Sequence, residues 1–275
     1  MIMMLIVAMT GCGKQEDAIV KVIDIPLTDE EYAFGVDKNN GELLAKANEY
    51  IATVKEDGTL DEICEKYFGD GTPEGVPLIP WDDSKDQLVV ATNAEFSPFE
   101  YRSGDVFYGI DMELIAGFAE YLGKELVILD VDFEQVINCV EDGVADMAVA
   151  GLTINETRMQ SVDFTDPYYM ASQVLIVPGT NTNFDDCETV EDVTQVLEGM
   201  SDGRIGGQSG TTAEYYVKGD ADWEFEGIGN MSWVGYTSGS MAVNDMLTGN
   251  INFVILDEAP ANMIVKRINA SDGAD

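Results

Sequence analysis

The residues best placed to do chemistry lie in the stretch AGLTINETR at positions 150–158. An apolar run ends at Gly151, Thr153 follows, and Glu156 stands three residues further on, the spacing of a helix capping box. A strand that breaks in this way presents free backbone N–H groups, and Arg158 adds a planar cation. Together they suit a carboxylate. The same residues also read as a capped surface helix with a solvated arginine, and alone they do not separate the two readings.

A second stretch repeats the pattern. RIGGQSGTTAEYY, positions 204–216, reads as a strand, a glycine turn and a capping box from Thr211 to Glu214. In a third, INFVILDEAPANM at 251–263, a strand ends at Asp257 and a helix begins near Pro260, a favoured first-turn residue. Thr153, Arg158, Thr211, Thr212 and Asp257 all fall at the carboxyl ends of strands, where open α/β sheets bind ligands. One cation, one anion and two helix starts suit a zwitterion: arginine and N–H groups for a carboxylate, aspartate for an ammonium. The aromatics of NAEFSPFEY, Phe96 and Phe99, offer apolar walls.

The elements that must position these groups follow from periodicity. Residues 18–26 alternate as a strand, and 40–68 carry a helical pattern that Gly58 divides in two. Residues 69–87, rich in Gly, Pro and Asp, read as a linker. Strands are expected at 88–92 and 125–131. Helices are expected from Asp111, as cap, to Gly123, and over 133–141. Strands alternating with helices predict an α/β fold with largely parallel sheets.

Composition excludes several chemistries. The 275 residues hold 52 acids against 14 bases, a net charge of −38 that repels phosphate backbones and argues against a nucleic-acid partner. Histidine is absent from the sequence, which removes Ser–His–Asp and Cys–His catalysis and His-ligated metal sites. Cys12, Cys64, Cys139 and Cys187 have no metal-like spacing, so neither a metal nor a cofactor is expected. Residues 1–9, MIMMLIVAM, followed by Thr10, Gly11 and Cys12, resemble a short lipoprotein signal with Cys12 as the lipidated residue, though without the usual basic start. No later segment has the length and apolarity of a membrane span.

NAEFSPFEY, YGIDMELIAGFAEYLG, the run from VDFEQV to FTDPYY, GQSGTTAEYY and ILDEAPA together resemble the amino-acid-binding family of bacterial extracellular solute-binding proteins. These are two-lobed receptors of ABC importers with the type II periplasmic-binding fold, each lobe a mostly parallel sheet flanked by helices. The resemblance implies that Arg158 clamps the ligand α-carboxylate, and that Gly151 and Thr153 serve carboxylate and ammonium. By the same resemblance Thr211 and Thr212 offer second-lobe N–H groups, Asp257 pairs the ammonium, and Phe96 and Phe133 wall the ligand. Asn93 and Gln208 fall where members vary with the ligand side chain, and the uncharged Asn93 points to a polar or neutral one.

The order of segments departs from the family. A stretch like residues 22–69 ordinarily closes the chain, whereas here it leads. Joining Asp275 to Gln15 would restore the usual order, so the chain resembles a circular permutant; a tandem-receptor fragment and a segment-swapped dimer are the other accounts. Under permutation, lobe 1 is residues 33–171 with the linker 69–87, lobe 2 is residues 13–32 plus 172–275, and residues 1–12 are the signal. The expected function is a monomeric, non-enzymatic, extracytoplasmic receptor, anchored through Cys12, that delivers a free amino acid to an ABC permease. A sensory receptor domain and a dehydratase-like enzyme on the same fold are the rivals.

Overall fold

A computed structural model describes residues 18–272 of the chain. The signal at 1–12, the lipidation site Cys12 and the Gln15–Asp275 junction lie outside the described residues.

The chain starts with β1 (Val20–Ile23), β2 (Glu30–Tyr32) and β3 (Gly35–Asp37). Helices α1 (Gly41–Glu56) and α2 (Thr59–Phe68) follow, separated at Gly58 as its left-handed φ of 87° requires. The stretch read as a pure linker contains a short strand, β4 (Val76–Pro77), because Val76 finds an apolar partner in a small sheet. Next come β5 (Gln87–Thr92), β6 (Glu95–Phe96), β7 (Glu100–Ser103), β8 (Val106–Tyr108), α3 (Ile110–Leu122) and β9 (Glu125–Asp130). They are followed by α4 (Phe133–Glu141), β10 (Met147–Ala148), β11 (Val162–Phe164), β12 (Tyr169–Ala171) and β13 (Gln173–Pro178). The remainder is α5 (Val190–Glu198), β14 (Gly203–Gln208), α6 (Thr212–Lys218), β15 (Met231–Tyr236), α7 (Gly239–Leu247), β16 (Phe253–Asp257) and α8 (Glu258–Asp272).

Two five-stranded sheets organise these elements, one in the order β11-β3-β10-β5-β9 and the other β1-β13-β16-β14-β15. Contrary to the expectation of mostly parallel sheets, both are mixed. The pairs β10/β5 and β5/β9, and β14/β16 and β14/β15, are parallel; those made by β3, β1 and β13 are antiparallel. Parallel neighbours need a crossover helix. The strands β1, β3, β11 and β13 instead flank the short links that run from one sheet to the other.

Those links are β2 and β12, which pair antiparallel through Tyr32 and Tyr169 and through Glu30 and Ala171. Each sheet is covered on both faces. In β5, Leu88 and Val90 join the core beneath α1, α2 and α3, while Val89 and Ala91 join the core beneath α4. In the second sheet, Leu175 and Ile255 pack under α5 and α6, and Ile176 and Val254 under α7 and α8. Continuous apolar runs such as QLVVAT are what a doubly covered strand requires. The Asn269 side chain on α8 accepts from the Ile19 N–H at 3.0 Å and donates to the Val20 carbonyl at 2.9 Å. That places β1 beside the last helix.

Phe118, fully buried on α3 with its ring 5.5 Å from that of Tyr50, anchors α1 to α3. Phe118→Ala is expected to cost about 3–5 kcal/mol of unfolding free energy by chemical denaturation; a loss below about 1 kcal/mol would contradict this packing.

Candidate functional site

Gly151 turns with φ 52°, and a Cβ there would meet the Phe96 ring edge at 2.9 Å, so glycine is demanded twice. Thr153 does not open a helix. It forms a lone bridge with Tyr32, and Ile154 N–H donates to Glu31 O at 3.0 Å. The Thr153 hydroxyl, which a capping box would aim at the Glu156 N–H, donates instead to Glu30 on β2. The Arg158 N–H is accepted by Asn155 Oδ1 at 2.8 Å, and only a single 3-10 turn, Arg158–Gln160, follows.

Arg158 reaches across the gap between the sheets. Its Nη1 donates to Thr153 O at 2.8 Å and its Nη2 to Gly210 O at 3.1 Å. The guanidinium lies 5.4 Å from the Phe133 ring centre and 5.7 Å from that of Trp223. Desolvation between those rings lowers its pKa, opposed first by the charge of Glu30.

On the other side, α6 begins at Thr212 as expected, with Thr211 in the N-cap position. The expected capping box is absent there too: Thr211 Oγ1 donates to Gln208 O at 2.8 Å, and Glu214 accepts from Gly210 N–H at 2.8 Å. Gln208 Nε2 donates to Asn93 Oδ1 at 2.8 Å, and Asn93 Nδ2 to Val131 O at 2.8 Å. Asp257, at the end of β16, accepts from the Tyr32 hydroxyl.

Nine of the ten residues singled out as ligand contacts line one cavity of about 10 Å³: Phe96, Phe133, Gly151, Thr153, Arg158, Gln208, Thr211, Thr212 and Asp257. Asn93 sits behind Gln208. Phe99, offered as a wall, is fully buried behind Phe96 and packs on Tyr32, so it supports the site without facing it.

Two buried groups escaped the sequence reading. Glu30 on β2, only 4% exposed, accepts from Thr153 Oγ1 at 2.5 Å, Thr212 Oγ1 at 2.7 Å, Thr28 Oγ1 at 2.7 Å and Gln173 Nε2 at 3.0 Å. It thus bridges one hydroxyl that follows β10 and one that opens α6. The strand EEY carries a buried–exposed–buried pattern whose first buried member is charged, so hydrophobic periodicity gives it no signal. Asp111, expected as a helix cap, is buried instead; Gly109 takes the N-cap position. Its carboxylate accepts from Gly151 N–H at 2.9 Å and the Tyr168 hydroxyl at 2.6 Å, holding the Gly151 turn from behind. Burial pushes Asp111 up to about 7 and raises the neighbouring Glu100 well above the carboxylate range. Burial, reinforced by the charge of Glu30, likewise pushes Asp257 up to about 7. Among the described residues no cluster of Cys, Asp and Glu is arranged to hold a metal ion.

With this geometry in place, similarity to known proteins is informative. The profile of the family described as bacterial extracellular solute-binding proteins, family 3, matches residues 88–252. The arginine-binding extracellular protein ArtP of Bacillus subtilis is 34% identical over 95 residues, covering 34% of this chain and 37% of that protein. A probable histidine-binding protein of Campylobacter jejuni is 33% identical over 131 residues, 48% of this chain and 47% of that one. The matches thus span less than half the length of these two relatives. An ancestral arginine-binding protein bound to arginine superposes with a TM-score of 0.56 at 29% identity, covering 66% of this chain and 75% of that chain.

The raised acids set a pH dependence. Between their ordinary value of 3.8 and about 7, Asp257 and Asp111 hold more protons folded than unfolded. Their contribution to stability is complete below the unfolded value and is lost as pH rises through about 7. The melting temperature of the ligand-free protein is expected to fall from pH 5 to pH 8, and to fall less steeply in Asp257→Asn. Melting curves across that range check this; an unchanged slope in the variant would remove Asp257 as a cause.

Proposed function

The chain belongs to the bacterial extracellular solute-binding proteins, family 3, and we propose that it is an extracytoplasmic receptor that closes on one free amino acid and presents it to an ABC permease. The carrying observation is that Arg158 and Asp257, opposite in charge, line one cavity between two sheets that only β2 and β12 connect among the described residues. The α-carboxylate takes the free N–H groups of Arg158 and the turn at Thr211–Thr212, and the α-ammonium takes Asp257. A cavity of about 10 Å³ holds one water at most, so the ligand enters when the sheets separate about the β2/β12 ribbon. The Asn93–Gln208 amide pair supports a polar side chain. The names of the relatives, which are binding proteins for amino acids, support the same reading.

A carboxyl held near pH 7 in a closed cleft is also what a proton-transferring enzyme needs, which keeps a dehydratase-like activity as the second reading. Calorimetry separates them. The receptor binds an amino acid and returns it unchanged. Arg158→Ala is expected to weaken binding by at least about 30-fold, the loss on removing one partner of a buried charge pair. Binding as tight as in the parent, or chemical turnover, would overturn the receptor reading.

The segment order fits a circular permutation, with the lobes as residues 33–171 and 13–32 plus 172–275. Support comes from β1 pairing with β13 in the second sheet and from Asn269 tying β1 to α8. Connecting residue 275 to residue 15 and opening the chain between Asp70 and Gly71, both exposed, is expected to leave melting temperature and affinity unchanged. Failure of that chain to fold, while the parent folds, would reject permutation in favour of a fragment or a swapped dimer.

A further inference from the structure

We propose, resting on the amino-acid reading of the cleft, that Glu30 selects ligands whose side chain carries a positive charge, its carboxylate anchoring that charge between Thr153 and Thr212.

The first argument is charge balance. An amino-acid zwitterion uses Arg158 for its carboxylate and Asp257 for its ammonium, and Glu30 is then left over. Its four hydrogen-bond donors, Thr28, Thr153, Thr212 and Gln173, are all neutral. No lysine or arginine lies within ion-pairing distance of it among the described residues. A desolvated carboxylate held only by dipoles gains more from an arriving cation than an exposed one does.

The second argument is position. Thr153 and Thr212 line the small cavity that holds Arg158 and Asp257, and they also line a second cavity of about 540 Å³. Glu30 lies in the second cavity's wall, so its carboxylate marks the partition between the two. A side chain leaving an α-carbon fixed at Arg158 and Asp257 meets Glu30 on its way across. Beyond it the wall carries Asp29, Glu156, Asp222 and Glu224, with Trp223 and no basic residue. Trp223 already accepts one cation, the Arg158 guanidinium, at its face.

Glu30 does not stand in for the ligand's own carboxylate. A group in that place would pair with Arg158, and the two make no ion pair; Arg158 donates instead to the carbonyls of Thr153 and Gly210. Asn93 does not supply the side-chain charge either, being neutral and committed to Gln208 and the Val131 carbonyl.

Titration calorimetry with arginine, lysine and glutamine tests this on the parent, on Glu30→Gln and on Glu30→Asp. The parent is expected to bind arginine or lysine at least about 30-fold more tightly than glutamine. Glu30→Gln is expected to lose about that factor for the cationic ligands over and above any change for glutamine, so that the arginine-to-glutamine affinity ratio falls toward one, with Glu30→Asp between. A parent that favours glutamine, or a Glu30→Gln protein that binds arginine and lysine as the parent does, overturns the role of Glu30 while the amino-acid reading stands. Should none of the twenty amino acids bind at millimolar concentration, both fall. Should Glu30→Gln not fold, the parent's own preference decides.

Discussion

Two strands carry the covalent traffic between the sheets, and the site depends on that constraint. Because β2 and β12 are the links between the two sheets among the described residues, the contacts spanning the cavity itself are noncovalent and reversible. Arg158 to Gly210, Gln208 to Asn93 and Thr212 to Glu30 are such contacts, each between groups far apart in the chain. Net hydrogen-bond energies are about 1 kcal/mol for neutral pairs and about 1.5–3 for charged ones. A few of them hold a closed form that a ligand's extra contacts can stabilise and its departure can release.

The acids behind the cavity show how strongly this interior is committed to charge. Asp111, Asp257 and Glu100 are buried, and each would prefer a proton to an uncompensated charge. Protein dipoles meet part of that cost: Asp111 has the Gly151 N–H and Tyr168, and Asp257 has Tyr32. Glu100 has no donor for its buried carboxyl oxygens and instead takes up a proton, which it can give to Asp111 beside it. The arrangement trades stability for a preformed cradle, since the Gly151 turn is held in its left-handed conformation by a carboxylate and not by apolar packing alone.

What could be read from the sequence depended on whether the signal was local. Helix α4 falls on residues 133–141 as expected, because apolar spacing and the following Gly143 are properties of a few consecutive residues. The division at Gly58 and the stop at Gly123 are local in the same way. The capping box at Thr153 failed because its competitor was not local: β2, more than a hundred residues away, supplies Glu30 as acceptor for the Thr153 hydroxyl. Asp111 failed for the same reason, its partners Gly151 and Tyr168 being 40 and 57 residues downstream. Gathering the nine cavity residues around one space required tertiary structure: Gly151, Thr153, Arg158, Thr211, Thr212 and Asp257 are legible at strand ends and Phe96 as an aromatic wall, while Phe133 and Gln208 follow only from the family resemblance.

Glu30 is the extreme of that contrast, and it joins the fold to the function. It belongs to β2, so the residue that faces the cavity wall is also part of one of the two links about which the sheets would move. Its partner Thr153 follows β10 of the first sheet and its partner Thr212 opens α6 after β14 of the second, and a carboxylate accepting from both is sensitive to their separation. A cation arriving at Glu30 would therefore reinforce the geometry that brings the two threonines together. Neutralising the carboxylate would weaken that reinforcement without touching the α-carboxylate and α-ammonium contacts. Selectivity and closure would then share one side chain, placed where the chain crosses between the sheets.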